Sequence, residues 1–198
     1  YVSDLNLVTA VGTGVSFDLD GGGGTSSQSN TFLNCSFGGG GAYGLALARV
    51  GGVQCSETLV INCYFNTCTT AGFYTAGANA CDNIIVGGNI SGCAKGIRVG
   101  NGAIPGIYGV SFQNQTSCDI EISNTPTTGG DGYHISGCRS EGTDNFIRCP
   151  APITLNVSGC AHSGTNNGAF IDTNGAYLSI TGCASNKGDI NGNTGTLS

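Results

Sequence analysis

The 198-residue chain contains no methionine and no tryptophan, and charged residues make up only 9% of it. It has no long apolar run, so no membrane-spanning segment is predicted, and no charged-then-apolar start that would predict a signal peptide. The net charge of −6 disfavours a nucleic-acid partner, because phosphate binding requires basic stripes. With no Cys-x-x-Cys string and only two histidines, no metal and no other cofactor is predicted.

A short cysteine pattern recurs along the chain: an apolar residue, a variable residue, Gly or Asn, then Cys. Six copies are present, Phe32–Cys35, Val60–Cys63, Ile90–Cys93, Ile135–Cys138, Val157–Cys160 and Ile180–Cys183. A weaker copy, Val110–Gln113, is expected in the widest gap, with Gln113 at the cysteine position. Self-similarity at this period of about 22 to 30 residues is typical of a solenoid, whose repeats bury their apolar faces against their neighbours.

A second pattern alternates with the first: Gly or a short polar residue, followed by apolar residues at every second position. Its eight copies begin at Gly14, Gly44, Gly72, Gly96, Asp119, Asn145, Gly168 and Gly188. A period of two and flanks rich in Gly, Asn, Ser and Thr indicate short strands, and no segment has a sustained helical period. Stacking each copy on the next gives parallel strands about 4.8 Å apart.

These patterns predict an all-β fold, a single-stranded parallel β-helix (solenoid) of about seven to eight coils. Residues 1–198 form one domain in this interpretation. The chain begins with Tyr1 and has no amphipathic helix to cap an end, so we expect it to be part of a longer protein.

The six patterned cysteines are predicted to stack as buried free thiols, one in each coil. An odd total of eleven cysteines argues against complete pairing. Five others lie off this column, and a bridge such as Cys68 to Cys81 remains open. Reduced cysteines favour assembly in a reducing cytoplasm.

The run from Val60 to Cys68, followed by Gly72-Phe73-Tyr74, resembles one coil of the pectate-lyase-like right-handed parallel β-helix superfamily. Phe32–Phe37 with Gly44-Leu45, and Ile90–Cys93 with Gly96–Val99, repeat it. The composition is most similar to the bacteriophage tailspike and tail-fibre members. That resemblance implies a right-handed coil, a homotrimer and a host surface polysaccharide as partner. The polygalacturonase strings Asn-Thr-Asp, Gly-His-Gly and Arg-Ile-Lys are absent, as is a dense Asp cluster for calcium.

Alternation within the second pattern predicts which side chains point outward. Because Ile97, Val99, Ile120 and Ile122 point inward, Tyr74, Arg98 and Glu121 are expected to form an outward column on successive coils. An aromatic ring, a cation and a carboxylate in a row suit glycan binding by stacking and hydrogen bonds. The alternative is an Arg98–Glu121 ion pair on a solvated face, which contributes little stability.

A second outward column is expected at the variable position of the cysteine pattern: Ser91, Ser111, Ser136, Ser158 and Thr181. A flat, uncharged sheet of this kind suits subunit packing, plain solvation or ordering of water.

Glycoside hydrolysis needs two suitably spaced carboxylates. The chain offers Glu121 paired with Glu141 or Asp144 as its catalytic candidates, although acidic residues in turns are also common as solvated turn formers.

Three functions are consistent with these observations. The first is a phage tailspike or tail-fibre module that recognises host polysaccharide, with or without depolymerase activity, in a virion assembled in the bacterial cytoplasm. The second is a secreted polysaccharide lyase or glycoside hydrolase. The third is a purely structural solenoid of a virion or adhesin.

Overall fold

The computed structural model describes residues 1–9, 14–19, 27–49, 55–77, 80–100, 104–123, 132–142, 145–150, 152–164, 168–186 and 190–191. Every regular element in these ranges is a β-strand, and the strands pair in parallel from one turn to the next. The chain is therefore a parallel β-solenoid, which confirms the predicted fold class. The described ranges contain no helix with the length and apolar character needed to cross a membrane.

Among the described residues the solenoid has three faces, each an eight-stranded sheet. Sheet A contains β1 (Val2–Ser3), β5 (Thr31–Leu33), β9 (Leu59–Ile61), β12 (Cys81–Val86), β15 (Ile104–Tyr108), β18 (Tyr133–Ser136), β21 (Thr154–Ser158) and β24 (Tyr177–Thr181). Sheet B contains β2 (Asn6–Val8), β6 (Ser36–Gly38), β10 (Tyr64–Asn66), β13 (Asn89–Ser91), β16 (Ser111–Gln113), β19 (Arg139–Glu141), β22 (Ala161–Ser163) and β25 (Ala184–Ser185).

Sheet C contains β3 (Val15–Leu19), β7 (Tyr43–Leu47), β11 (Ala71–Thr75), β14 (Lys95–Val99), β17 (Cys118–Ile122), β20 (Asn145–Cys149), β23 (Ile171–Thr173) and β26 (Ile190–Asn191). Two further strands, β4 (Ser27–Gln28) and β8 (Cys55–Ser56), form a separate pair. Six turns have strands of three or more residues in all three sheets, while the first and last turns include two-residue strands. This is close to the predicted seven to eight coils.

The turn that leaves sheet A is built around one residue with positive φ, a conformation that Gly, Asn and Asp adopt most readily. The described turns place there Asp4, Asn34, Asn62, Gly87, Gly109, Gly137, Gly159 and Gly182. In the first turns the side chains also stack, because Asn62 donates a hydrogen bond to Asn34 (3.0 Å) and Asn34 donates one to Asp4 (3.4 Å). The Gly or Asn of the cysteine pattern is thus the residue that turns the chain.

Large side chains from sheet B fill the interior and require glycine on sheet C. Phe112 is fully buried, and a Cβ added at Gly96 would lie 2.7 Å from its ring and 2.5 Å from the carbonyl oxygen of Asp119. One turn later Ser140 occupies the register position of Phe112, and the buried side chain of Asp119 accepts a hydrogen bond from it. The interior therefore keeps its volume by pairing a large residue with a small one.

The prediction that all six patterned cysteines stack in one column is wrong for Cys93. Phe65 of β10 pairs with Ile90 of β13, so the Ile90–Cys93 copy belongs to the turn after sheet B. Cys93 consequently stacks on Cys68, whose backbone N–H lies 3.4 Å from the Cys93 sulfur. The turn after sheet A keeps the other five, Cys35, Cys63, Cys138, Cys160 and Cys183, as a repeated backbone hydrogen bond across that turn shows.

The weaker copy in the wide gap is also displaced from its predicted register. Ile85 of β12 pairs with Ile107, so the equivalent run is Ile107–Val110, and Val110 takes the cysteine position in place of Gln113. Gln113 instead lies in sheet B, beside Ser91. The predicted hydroxyl column is split in the same way: Ser136, Ser158 and Thr181 share sheet A, whereas Ser91 and Ser111 belong to sheet B.

All eleven cysteines are free thiols in the structure, and nine of them are buried. The Cys63 thiol donates to the carbonyl oxygens of Ile61 and Phe32, at 3.4 and 3.7 Å. Burial raises its pKa from 9.0 to about 11, so the neutral thiol is strongly favoured at neutral pH. Cys63 therefore acts as a small packing residue rather than as a reactive group.

Candidate functional site

A row of side chains runs along sheet C, at the position directly after the inward apolar residue of each strand. We call this row the sheet C column, and its register partners are Asp18, Ala46, Tyr74, Arg98, Glu121, Arg148 and Asp172. The predicted alignment of Tyr74, Arg98 and Glu121 on successive strands is confirmed. The stretch from Tyr74 to Asp172 covers four strand spacings, roughly 19 Å.

The aromatic part of the column is a stack of two tyrosines, Tyr74 of the column and Tyr43 of a neighbouring register row. The rings of Tyr43 and Tyr74 are 4.8 Å apart between centroids and inclined by 23°. On the other side of Tyr74, the guanidinium carbon of Arg98 lies 5.6 Å from the ring centroid, within range of a cation–π interaction. Burial and the neighbouring Tyr43 raise the pKa of the Tyr74 phenol and outweigh the opposite effect of Arg98. Tyr74 therefore keeps its proton and offers a hydroxyl donor.

Glu121 lies at the centre of a charged cluster and is only 7% exposed. Its Oε1 accepts hydrogen bonds from Lys95 Nζ at 2.6 Å and from Ser123 Oγ at 3.2 Å. Arg98 Nε is 3.3 Å from the same oxygen, and Arg148 approaches Oε2 to 3.9 Å from the following strand. The carboxylate points outward as predicted, but the surrounding cations cover it.

The other end of the column is more open. Arg148 Nε lies 3.8 Å from Asp172 Oδ2, and nearly half of each side chain is exposed. Beside them is a surface depression of about 200 Å³, lined by Arg148, Cys149, Pro150, Asp172, Thr173 and Asn174. An extended ligand along the column would thus meet an aromatic stack, a charged centre and a polar depression in order.

The remaining catalytic candidates are not part of this cluster. Glu141 lies in β19 of sheet B, where it forms an ion pair with Arg139 and is paired in register with Gln113 and Ser163. Glu121 and Glu141 therefore belong to different faces of the solenoid. Asp144 lies outside the described residues. A catalytic role for the three carboxylates stays a prediction.

The sequence did not lead us to place Tyr43, Lys95, Arg148 and Asp172 in this group. The rule that places Glu121 outward also applies to Arg148 and Asp172, since each follows a buried isoleucine, Ile147 or Ile171. Tyr43 and Lys95 carry no such signal. Both occupy a different register row and reach the column only through the length of their side chains.

Comparison with known proteins finds no matching family model, no matching curated protein and no matching solved structure. The site is therefore interpreted from its own chemistry.

Proposed function

We propose that the sheet C column binds a polysaccharide of a host cell surface. In this proposal the chain is the receptor-binding module of a phage tailspike or tail fibre, assembled as a homotrimer in the bacterial cytoplasm and carried on the virion, with or without depolymerase activity. The observation that carries the proposal is the continuous outward row that joins the Tyr43–Tyr74 stack to the charged cluster around Glu121.

The parts of the column match the parts of a sugar chain. The flat ring of a tyrosine presents an apolar face with a hydroxyl at its edge, which suits the mixed polar and apolar surface of a sugar ring. Charged side chains beside it supply strong hydrogen bonds to hydroxyl or anionic groups. Because parallel strands are evenly spaced, the column is straight and long enough for several sugar units in an extended chain.

The burial of the Glu121 carboxylate beneath neighbouring cations favours a role in binding over a role in acid–base chemistry. A general acid or base must reach the proton that it transfers, and Glu121 is covered by Lys95, Arg98 and Arg148. Glu121 instead accepts a hydrogen bond from Lys95 and forms ion pairs with the two arginines, so its role in binding is to position cations.

The test measures binding of bacterial surface polysaccharides to the protein and to Tyr74→Ala. We expect a roughly three- to tenfold loss of affinity on removal of the stacking ring. Tyr64→Ala is the matched control, because Tyr64 is an exposed tyrosine (41%) on sheet B and its removal should leave affinity unchanged. Equal affinities for all three proteins, or no binding to any polysaccharide, would refute the column as the glycan site.

The oligomeric state of the protein in solution, together with assays of glycan binding and cleavage, distinguishes the remaining functions. A detergent-resistant trimer supports the tailspike or tail-fibre module. A monomer that releases reducing ends or unsaturated uronates favours a secreted glycoside hydrolase or lyase. The absence of both glycan binding and turnover favours the structural solenoid.

A further inference from the structure

The charged cluster around Glu121 concentrates positive charge in an acidic protein. The chain has six Lys and Arg against twelve Asp and Glu, with a net charge of −6. Three of the six cations, Lys95, Arg98 and Arg148, nevertheless converge on Glu121. With Asp172 included, the cluster holds three positive and two negative charges and so has a net charge of +1. The local sign is opposite to that of the whole chain.

The negative charge at the centre of this cluster is already bound. Glu121 accepts hydrogen bonds from Lys95 and Ser123 and is almost completely shielded from solvent. A ligand above the column therefore meets the cations around Glu121 rather than the carboxylate itself.

The guanidinium group of Arg148 is available to a ligand. Its contacts with Glu121 and Asp172, at 3.9 and 3.8 Å, are longer than hydrogen bonds, and its side chain is 48% exposed. It makes no hydrogen bond to any other residue that the structure describes. Five N–H donors in a planar fork are well matched to a carboxylate or phosphate group.

Arg98 approaches the same place from the preceding strand. Its guanidinium group is held over the Tyr74 ring, and its side chain is 32% exposed. Its buried Nε is 3.3 Å from Glu121 Oε1 without the geometry of a hydrogen bond. Because Arg98 and Arg148 approach Glu121 from the strands on either side, one anionic group above Glu121 would contact both arginines.

We infer that the polysaccharide bound by the sheet C column is acidic, and that Arg98 and Arg148 bind its carboxylate, phosphate or sulfate group above Glu121. This inference rests on the proposed function and adds the chemical class of the ligand to it. The Tyr43–Tyr74 stack would then hold a sugar ring next to the anionic group.

The experiment uses each surface polysaccharide that binds the full chain, in native form and after chemical removal of its charge. Carboxylates are reduced to alcohols, phosphates are removed with hydrogen fluoride, and sulfates by solvolysis, so the three arms identify the anionic group. We expect affinity to fall about 10- to 100-fold in the arm that removes the bound group, as for loss of charge-assisted hydrogen bonds. Affinity for the native ligand should also fall with added salt.

The variant Arg148→Gln should bind the native ligand more weakly and discriminate less between the charged and uncharged ligands, with Arg98 supplying the remaining preference. Arg139→Gln is its control, because Arg139 is an exposed arginine on sheet B that pairs with Glu141. Each variant is used only if its far-ultraviolet circular dichroism spectrum matches that of the wild type, which shows that it is folded. Equal binding of charged and uncharged ligands by the wild type would overturn the inference that the ligand is acidic. It would leave the proposal of a polysaccharide site intact. Absence of any binding would overturn both proposals.

Discussion

The interior of the solenoid and the sheet C column are made by the same stacking of strands, yet their residues follow opposite rules. One interior row of sheet C reads Phe17, Leu45, Phe73, Ile97, Ile120, Ile147 and Ile171, which is apolar at every turn. The adjacent outward row changes from aromatic to cation to carboxylate within three turns. Packing in this row favours an apolar residue on every turn, because each turn buries its neighbour. Solvent makes no such demand on the outward row, so its varied chemistry is where function is to be sought.

The largest expected effect comes from the interior. Phe112→Ala removes a fully buried ring that contacts Phe146 edge to face, with centroids 6.1 Å apart. We expect the free energy of unfolding to fall by about 3 to 5 kcal/mol, since the lost contacts leave a cavity. Urea denaturation measures this change. Unchanged stability would contradict the position of Phe112 in the core.

A pH-dependent effect should come next in size. Below pH 9 the Cys63 thiol keeps its proton in both the folded and the unfolded chain, so its contribution to stability is complete. Above pH 9 the unfolded chain releases the proton, whereas the folded chain retains it up to a pKa of about 11. Stability should therefore fall between pH 9 and pH 11, with roughly 2 to 3 kcal/mol attributable to Cys63.

Urea denaturation of the wild type and of Cys63→Ala at pH 8 and pH 11 isolates this contribution. The variant should lose less stability over the interval. An identical loss in both proteins would show that the thiol does not titrate as described.

A smaller effect on stability is expected in the sheet C column. Glu121→Gln removes the charge that Lys95, Arg98 and Arg148 share, and we expect a loss on the order of 1 to 2 kcal/mol. Glu141→Gln is the control, since its ion pair with Arg139 is exposed and contributes almost nothing.

The same two variants, with Asp144→Asn, test the catalytic prediction on any polysaccharide that the protein cleaves. Reducing-end and unsaturated-uronate assays measure cleavage. Unchanged rates in all three variants would exclude these carboxylates as catalysts.

Most of the fold could be predicted because its signals are local. The alternation around Ile97 and Ile120 assigns the inward and outward sides of a strand without any knowledge of its neighbours. It therefore placed Tyr74, Arg98 and Glu121 in one row. The cysteine pattern was less informative, because the turns after sheet A and after sheet B share it. Asn62 and Gly92 both have positive φ and both precede a cysteine, although they belong to different turns of the coil.

The candidate site was only partly predictable for a related reason. Tyr43 and Lys95 lie outside the outward row and join the column by side-chain length alone. The exposure of Glu121 could not be inferred either, since it depends on cations from the strands before and after it.

The sequence by itself determined the parallel β-solenoid and which side chains of a strand face inward or outward. It also determined the row that holds Tyr74, Arg98 and Glu121. Apolar alternation and left-handed turn residues act within a few positions, so they can be recognised along the chain. Only the tertiary structure decided which turn each cysteine occupies and that Glu121 is enclosed by Lys95, Arg98 and Arg148. Both depend on the register between turns, which is set by packing across about 22 to 30 residues of intervening chain.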